Sequence, residues 1–398
     1  MLNAMSIALL YERSENDENG IKLTAKQLGI DLTFIPFRKI ALSISKDGFS
    51  AKTKGKDYTG IIKDTKVVLN RAQSKNRRLQ ASYLMEMLGK KTLNSSQTEF
   101  ICYSKLRTLL HLFKEGIPIP KTVFVPCDST DMLKNGREIH NEKDIADLFE
   151  QEIPLSEGIV IKADAGTHGK MIMLSKNREE LEASIKETKP SIINPIGVVA
   201  QELVQKWFYD LRIIVSQEKG KAPVCYHTAM ARAGFKDFRT NTFLGNLVFH
   251  AKLPMSIQEL AVKCGKTLGK GSDAWIFAMD AMVNVGENKN ADDAYLKGEL
   301  DKAGQAFVPV QKVKQDEMRL TDFQTWTGKL EAAFKIYKNT QAYGNITNII
   351  EESIEKNKGA LVFHESNSCP EFWENTRLAT GLNVAIPLLK GAQSLIDQ

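Results

Sequence analysis

Two acidic residues lie inside runs that otherwise have the composition of buried strands. Asp280 sits in WIFAMDAMV and Glu365 in ALVFHESN, and Asn367, two residues on, falls on the same strand face as Glu365. A carboxylate in such a run is costly unless it is paired or bound to a cation. Side by side, the two strands would present Asp280, Glu365 and Asn367 as hard oxygen donors. That set suits Mg²⁺ (or Mn²⁺) shared with nucleotide phosphates, and a buried salt bridge is the alternative.

Positive charge is offered by the stretch Gly158–Leu174, GIVIKADAGTHGKMIML. An apolar β-branched run ends at Lys162, a small-residue loop follows, and a second apolar run leaves it, which predicts a hairpin. Gly166 and Gly169 allow φ > 0 and would turn backbone N–H groups toward an anion, with the Lys162 ammonium as a point charge beside it. The loop, with Thr167 and His168 at its tip, would then close over phosphates; a plain hairpin is the other reading. Further on, Val198–Ala200 runs into Gln201, Glu202, Leu203 and Val204. This strand end can offer backbone groups to an adenine edge and a carboxylate to its amino group or ribose, although any strand end has the same outline.

The elements that must hold these groups follow from periodicity. Residues 1–95 alternate strand-like pieces (SIALLY, LTFIPF, VVLN) with helical ones (near Ile21–Leu28 and Lys75–Leu88), predicting a small open sheet with helices packed on it. Arg71, just after VVLN, stands where a strand's carboxyl end opens into a ligand crevice, or else is a solvated loop arginine. A helix from Ser96 carries Lys105 and Arg107, and Pro118 and Pro120 then force extended backbone before a strand at Thr122. In FYDLRIIVS, Asp210 and Arg212 share a strand face. PVCYHTAMAR ends at Arg232, and the following loop holds Arg239 and Asn241, so three arginines gather at neighbouring strand ends.

At 398 residues the chain exceeds one ordinary core, and two or three subdomains are expected. Its 42% hydrophobic and 26% charged content is that of a soluble globular protein. No apolar run reaches the length of a membrane span, and MLNAMSIALLYERS lacks the build of a signal peptide, so a cytoplasmic location is expected. Five scattered cysteines without a CxxC pair indicate neither a disulfide framework nor a zinc site. The net charge of +6 is compatible with a polyanionic substrate. Aromatic and basic residues are not interleaved as in a nucleic-acid binder, which disfavours that class.

With these pieces in this order, the chain resembles the ATP-grasp superfamily and, within it, the RimK-like amino-acid ligases, the group of the ribosomal-protein glutamate ligase. The carrying motifs are VVLNR (67–71), KTLN (91–94), the Lys105 helix before GIPIPKT, IVIKADAGTHGK, VVAQELV, YDLRIIV, the Arg232–Asn241 stretch, MD at 279–280 and HESNSCPEFWENTRLATG (364–381). They span nearly the whole chain. The resemblance implies an α/β (α+β) fold: an N-terminal open parallel-sheet subdomain (1–95), a central subdomain with the phosphate-covering hairpin (96–205) and a C-terminal subdomain with the metal ligands (206–398), the last two enclosing the nucleotide.

Carried over by position, the resemblance makes Lys105 and Lys162 nucleotide lysines and groups Gly166, Thr167, His168, Gly169 and Asp210 with them. It puts the adenine hinge at Gln201–Val204, with Glu202 nearest the base. It makes Asp280, Glu365 and Asn367 the Mg²⁺ ligands, and sets Arg212, Arg232 and Asn241 on the transferred phosphate or the substrate carboxylate. The implied activity is an ATP- and Mg²⁺-dependent carboxylate–amine ligation, joining an amino acid such as glutamate to an amine or a peptide or protein end, in an enzyme expected to be a homo-oligomer. A peptide-maturing ligase and a catalytically silent ATP-binding module are the alternatives. Two departures from the pattern stand out. Asp280 and Glu365 are separated by 84 intervening residues, an insert at about 284–360 that either recognises a partner or extends a hairpin capped by helices. After the metal residues, Phe372 and Trp373 are bulkier than the usual small-residue turn and are expected to reshape the substrate pocket.

Overall fold

The structure is a computed structural model describing residues 7–127, 141–166, 171–190, 197–240 and 242–396. The chain opens with β1 (Ile7–Tyr11), β2 (Leu32–Pro36), a hairpin of β3 (Ala41–Ser45) and β4 (Gly48–Lys52), then β5 (Val67–Arg71) and β6 (Lys91–Leu93). All but the hairpin join one parallel sheet in the order β2-β1-β5-β6. The near-continuous apolar runs suit a sheet covered on both faces. Alternation sends Ile7, Leu9, Val67 and Leu69 into one core and Ala8, Leu10 and Val68 into another. The predicted βαβ sheet is therefore present, and its first helix, Asn16–Gln27, starts earlier than the apolar pattern suggested.

A second, antiparallel sheet is built from β7 (Thr122–Val125), β8 (Ile159–Lys162), β9 (Ile172–Ser175) and β10 (Val198–Glu202), in the order β7-β10-β8-β9. Ile159 and Ile161 of β8, with Val198 and Ala200 of β10, pack under the helices Glu142–Glu152 and Arg178–Thr188. The period of two leaves Lys162 and Gln201 on the opposite face. β8 and β9 pair as the expected hairpin, and its tip, Thr167–Lys170, lies outside the described residues.

The third sheet comprises β11 (Tyr209–Gln217), β12 (Val224–Cys225), β13 (Thr228–Ala233), β14 (Leu247–Lys252), β15 (Trp275–Val283) and β16 (Leu361–Asn367). Its order is β14-β13-β11-β15-β16, with β12 paired to β11. Asp280 and Glu365 are direct register partners across β15 and β16, beside a β-bulge. The run PVCYHTAMAR, predicted as one strand, divides into β12 and β13.

Between β15 and β16 the chain forms three long helices, Asp293–Gln315, Phe323–Lys338 and Gln341–Asn357, the first of which the sequence reading missed. Phe307, Phe334, Tyr337 and Tyr343 pack edge to face with one another and share one core with Phe249 of β14. The insert is thus built onto the third sheet. No helix among the described residues is long and apolar enough to cross a membrane, and all five cysteines are free.

Candidate functional site

One face of the third sheet carries a row of charges set by strand register. Arg232 on β13 lies opposite Asp210 on β11, and Arg212 lies opposite Asp280 on β15. Both pairs are bidentate: Arg232 donates to Asp210 at 2.7 and 2.8 Å, and Arg212 to Asp280 at 2.9 Å twice. Arg232 also approaches Asp280 at 3.3 Å, so the four side chains neutralise one another. Burial pushes the Asp280 carboxyl up, but Arg212 and then Arg232 outweigh it and hold it well below the usual range.

Glu365, next along the row, has no arginine. Its compensation comes from outside the sheet: Lys105 Nζ lies 3.6 Å and Lys75 Nζ 3.9 Å from Oε1. Burial raises its carboxyl, Lys105 and then Lys75 overcome that, and the result is about 2. Lys162 feels the same carboxylate, but burial dominates and lowers its pKa to about 8; its Nζ donates to Gln201 Oε1. Lys75, which sequence reading missed, is likewise lowered to about 8, chiefly by burial. The signal was present in its position, since it begins a helix just beyond β5, where Arg71 had drawn attention.

Lys105 owes its place to the hairpin. The expected helix from Ser96 is two helices, Ser96–Tyr103 and Lys105–Lys114, parted at Ser104. Ser104 Oγ accepts the Arg107 N–H at 3.0 Å and donates to Asp164 Oδ1 at 2.8 Å, and the same oxygen accepts the Leu106 N–H at 2.8 Å. A serine and an aspartate thus cap one helix start, a stronger stop than the apolar pattern that runs through it. Lys105 Nζ then reaches the Gly166 carbonyl at 2.8 Å. This corrects the reading of Gly166: it turns a carbonyl to a lysine, its φ is not positive, and among the described residues of the stretch positive φ falls at Gly158 (91°) and Met171 (54°).

A cavity of about 580 Å³ opens where the three sheets meet. Lys105, Gly166, Arg212, Arg232, Asp280, Glu365 and Asn367 line it, whereas Lys162, Asp210 and Gln201–Val204 are not among its lining residues. The Glu202 carboxylate accepts the Lys121 N–H at 2.9 Å, and Gln201 donates to Thr122 Oγ1 at 2.9 Å. Asn241, Thr167, His168 and Gly169 lie outside the described residues. Arg239 pairs with Asp237 at 2.8 Å and does not line the cavity.

The N-terminal sheet contributes through the carboxyl ends of its strands. Arg71 is buried, not solvated, and binds Asp17 at 3.2 Å, Glu18 at 3.4 Å and the Pro370 carbonyl at 3.1 Å. Asp17 also accepts the backbone N–H groups of Phe372 and Trp373 at 3.0 and 2.8 Å. These two aromatics are a correction: they are buried and absent from the cavity wall, Trp373 lying so close to Gly20 that a Cβ there would come within 2.1 Å of the indole. Apolar bulk lodges against the first helix, at Asp17 and Gly20, and the polar neighbours Glu371, Glu374 and Asn375 line the cavity. Asn94 of KTLN is a clamp, bonding both polar groups of Ile276 and the Ser368 carbonyl.

Among the described residues no group of three or more His, Cys, Asp and Glu side chains could hold a metal. The oxygen donors at this place are the facing carboxylates of Glu365 and Asp280, the latter already accepting from Arg212 through both oxygens, and the Asn367 amide oxygen, which accepts the Cys369 N–H at 3.2 Å. An all-oxygen set with two ionised acids fits Mg²⁺, which would take over the compensation of Glu365 now supplied by Lys75 and Lys105.

Residues 104–283 match the RimK-like ATP-grasp domain. The α-aminoadipate–LysW ligase LysX of Saccharolobus solfataricus is 28% identical over 214 residues, 54% of this chain and 69% of that protein. LysX of Sulfurisphaera tokodaii is 27% identical over 266 residues, 67% of this chain and 82% of its own. Among solved structures, the VanG D-Ala:D-Ser ligase of Enterococcus faecalis superposes with a TM-score of 0.56 at 13% identity, covering 99% of this chain and 100% of that one. At such identity this likeness speaks for the fold.

Proposed function

With residues 104–283 forming a RimK-like ATP-grasp domain, we propose that the chain joins an amino-acid carboxylate to an amine or a peptide or protein end at the expense of ATP. A free carboxylate is a poor electrophile because oxide is not a leaving group. Transfer of the ATP γ-phosphoryl to a carboxylate oxygen gives an acyl phosphate and ADP. The amine nitrogen then attacks the carbonyl carbon, the C–N bond forms, and phosphate leaves with the electrons of the C–O bond, the proton shed by the nitrogen passing to the departing phosphate or to water. Such chemistry asks the protein mainly for positioning and charge neutralisation, which is why no nucleophile–base pair is needed.

The observation that carries this reading is the convergence of Lys75, Lys105, Arg212, Arg232, Asp280 and Glu365 on one cavity. In the proposal Lys105 and Lys162 hold the nucleotide phosphates, the Gln201–Val204 strand end with Glu202 meets the adenine, and Asp210 keeps Arg232 in place. Arg212 and Arg232, with Asn241, bind the transferred phosphate or the substrate carboxylate. Asp280, Glu365 and Asn367 would hold Mg²⁺, which supplies charge neutralisation at the phosphates when bound. Closure of the β8–β9 hairpin would keep water from the acyl phosphate.

LysX is named for an amino acid and a protein partner, so glutamate and α-aminoadipate with amines and peptides are the first pairs to test. The purified protein should release ADP and phosphate only when a carboxylate and an amine are both supplied, with a product mass equal to their sum less water. A silent ATP-binding module would bind nucleotide and show no amine-dependent release.

A further inference from the structure

The insert reaches the cavity through its first helix. Phe307, Gln311 and Lys314, at spacings of four and three, put one face of Asp293–Gln315 on the cavity wall. Glu374 and Asn375, from the turn after β16, line the same cavity. Lys314 Nζ donates to the neutral Asn375 Oδ1 at 2.5 Å, and lies 5.4 Å from the centre of the Phe307 ring. Glu374 accepts from the Asn16 side chain and acts on Lys314 only from beyond ion-pair range. Burial, the larger influence, lowers the Lys314 pKa to about 8. A half-buried ammonium whose hydrogen-bond partner is a neutral amide is incompletely compensated, and an anion entering the cavity would complete it. The row on the third sheet differs, because there each arginine already has its aspartate.

We propose that Lys314 is a specificity-determining residue that binds a non-reacting carboxylate of the amino-acid substrate, so that this insert selects substrates bearing a second carboxylate. The inference rests on the ligase reading. It also gives the insert a chemical task, as one part of the cavity wall.

The test compares an accepted amino-acid substrate with its counterpart in which the spectator carboxylate is a carboxamide. In the wild-type protein the amide should have a kcat/KM lower by about tenfold or more, carried by KM. Lys314→Met, which keeps the stem over Phe307, should raise the KM of the carboxylate substrate to that of the amide and leave the KM of ATP unchanged; Lys314→Arg should recover part of the preference. Equal use of acid and amide by the wild type would overturn the proposal without any variant. So would a folded Lys314→Met protein that keeps the preference. Absence of ADP release with every carboxylate–amine pair would remove the ligase reading itself, a distinguishable result.

Discussion

The two ends of the charge row in the third sheet solve the same problem in opposite ways. At one end Asp210, Arg212, Arg232 and Asp280 close on themselves through bidentate contacts of 2.7–2.9 Å between register partners. At the other, Glu365 is held by two lysines from other parts of the fold at 3.6 and 3.9 Å. The arginine end is rigid and internally neutral, and its charges are oriented before any ligand arrives. The lysine end is long-range and exchangeable, and burial has already made one of its two ammonium groups, that of Lys75, reluctant to carry charge. A site that must grip polyphosphate and then release it gains from having both: fixed dipoles for geometry and lysines whose compensation can change hands.

The sharpest challenge to this contrast is Glu365→Ala. Turnover should fall by about a thousandfold or more, since the exchangeable end loses its anion and the proposed metal its ligand. Unchanged ADP release would withdraw Glu365 from the site. Next in size is a pair of stability measurements. Arg232→Met leaves the buried Asp210 carboxylate without its bidentate partner, while Asp280 keeps Arg212, and should cost about 3–5 kcal/mol in denaturant unfolding. Lys75→Met removes a buried ammonium from a 3.9 Å contact and should shift stability by no more than about 1 kcal/mol. Equal losses in the two variants would abolish the distinction between the ends.

The smallest effect is a proton count. Lys75 and Lys162 stand at about 8 because burial disfavours their charged forms. A phosphate beside either restores its charge, so nucleotide binding should take up about one proton per contacted lysine at pH 9 and almost none at pH 7. Affinity should therefore weaken as pH rises above about 8, while the guanidinium end contributes nothing to this slope. Calorimetry in buffers of different ionisation enthalpy reads the count directly, and a binding enthalpy that is the same in every buffer at pH 9 would place both lysines away from the phosphates.

Local pattern sufficed for much of this. An acid inside an apolar strand, a β-branched hairpin with a lysine at its base, and the order of the motifs each depend on neighbours within a few residues, so they could be read from the chain alone. The break at Ser104 was harder, because its cap is Asp164, sixty residues away, and periodicity says nothing about a distant hydrogen bond. The first insert helix escaped as well, since its apolar face answers to a groove formed by β14 and the other insert helices.

What the sequence determined by itself was which charges exist and which strand face each one occupies, because a period of two is a property of the backbone. Which charge compensates which was decided only in three dimensions. Arg212 meets Asp280 through strand register, Lys75 meets Glu365 through the packing of one sheet's end against another, and Lys314 reaches the cavity by a helix inserted between the two acidic strands. Electrostatic compensation falls off with distance through space and is indifferent to separation along the chain, so tertiary packing alone could assign it.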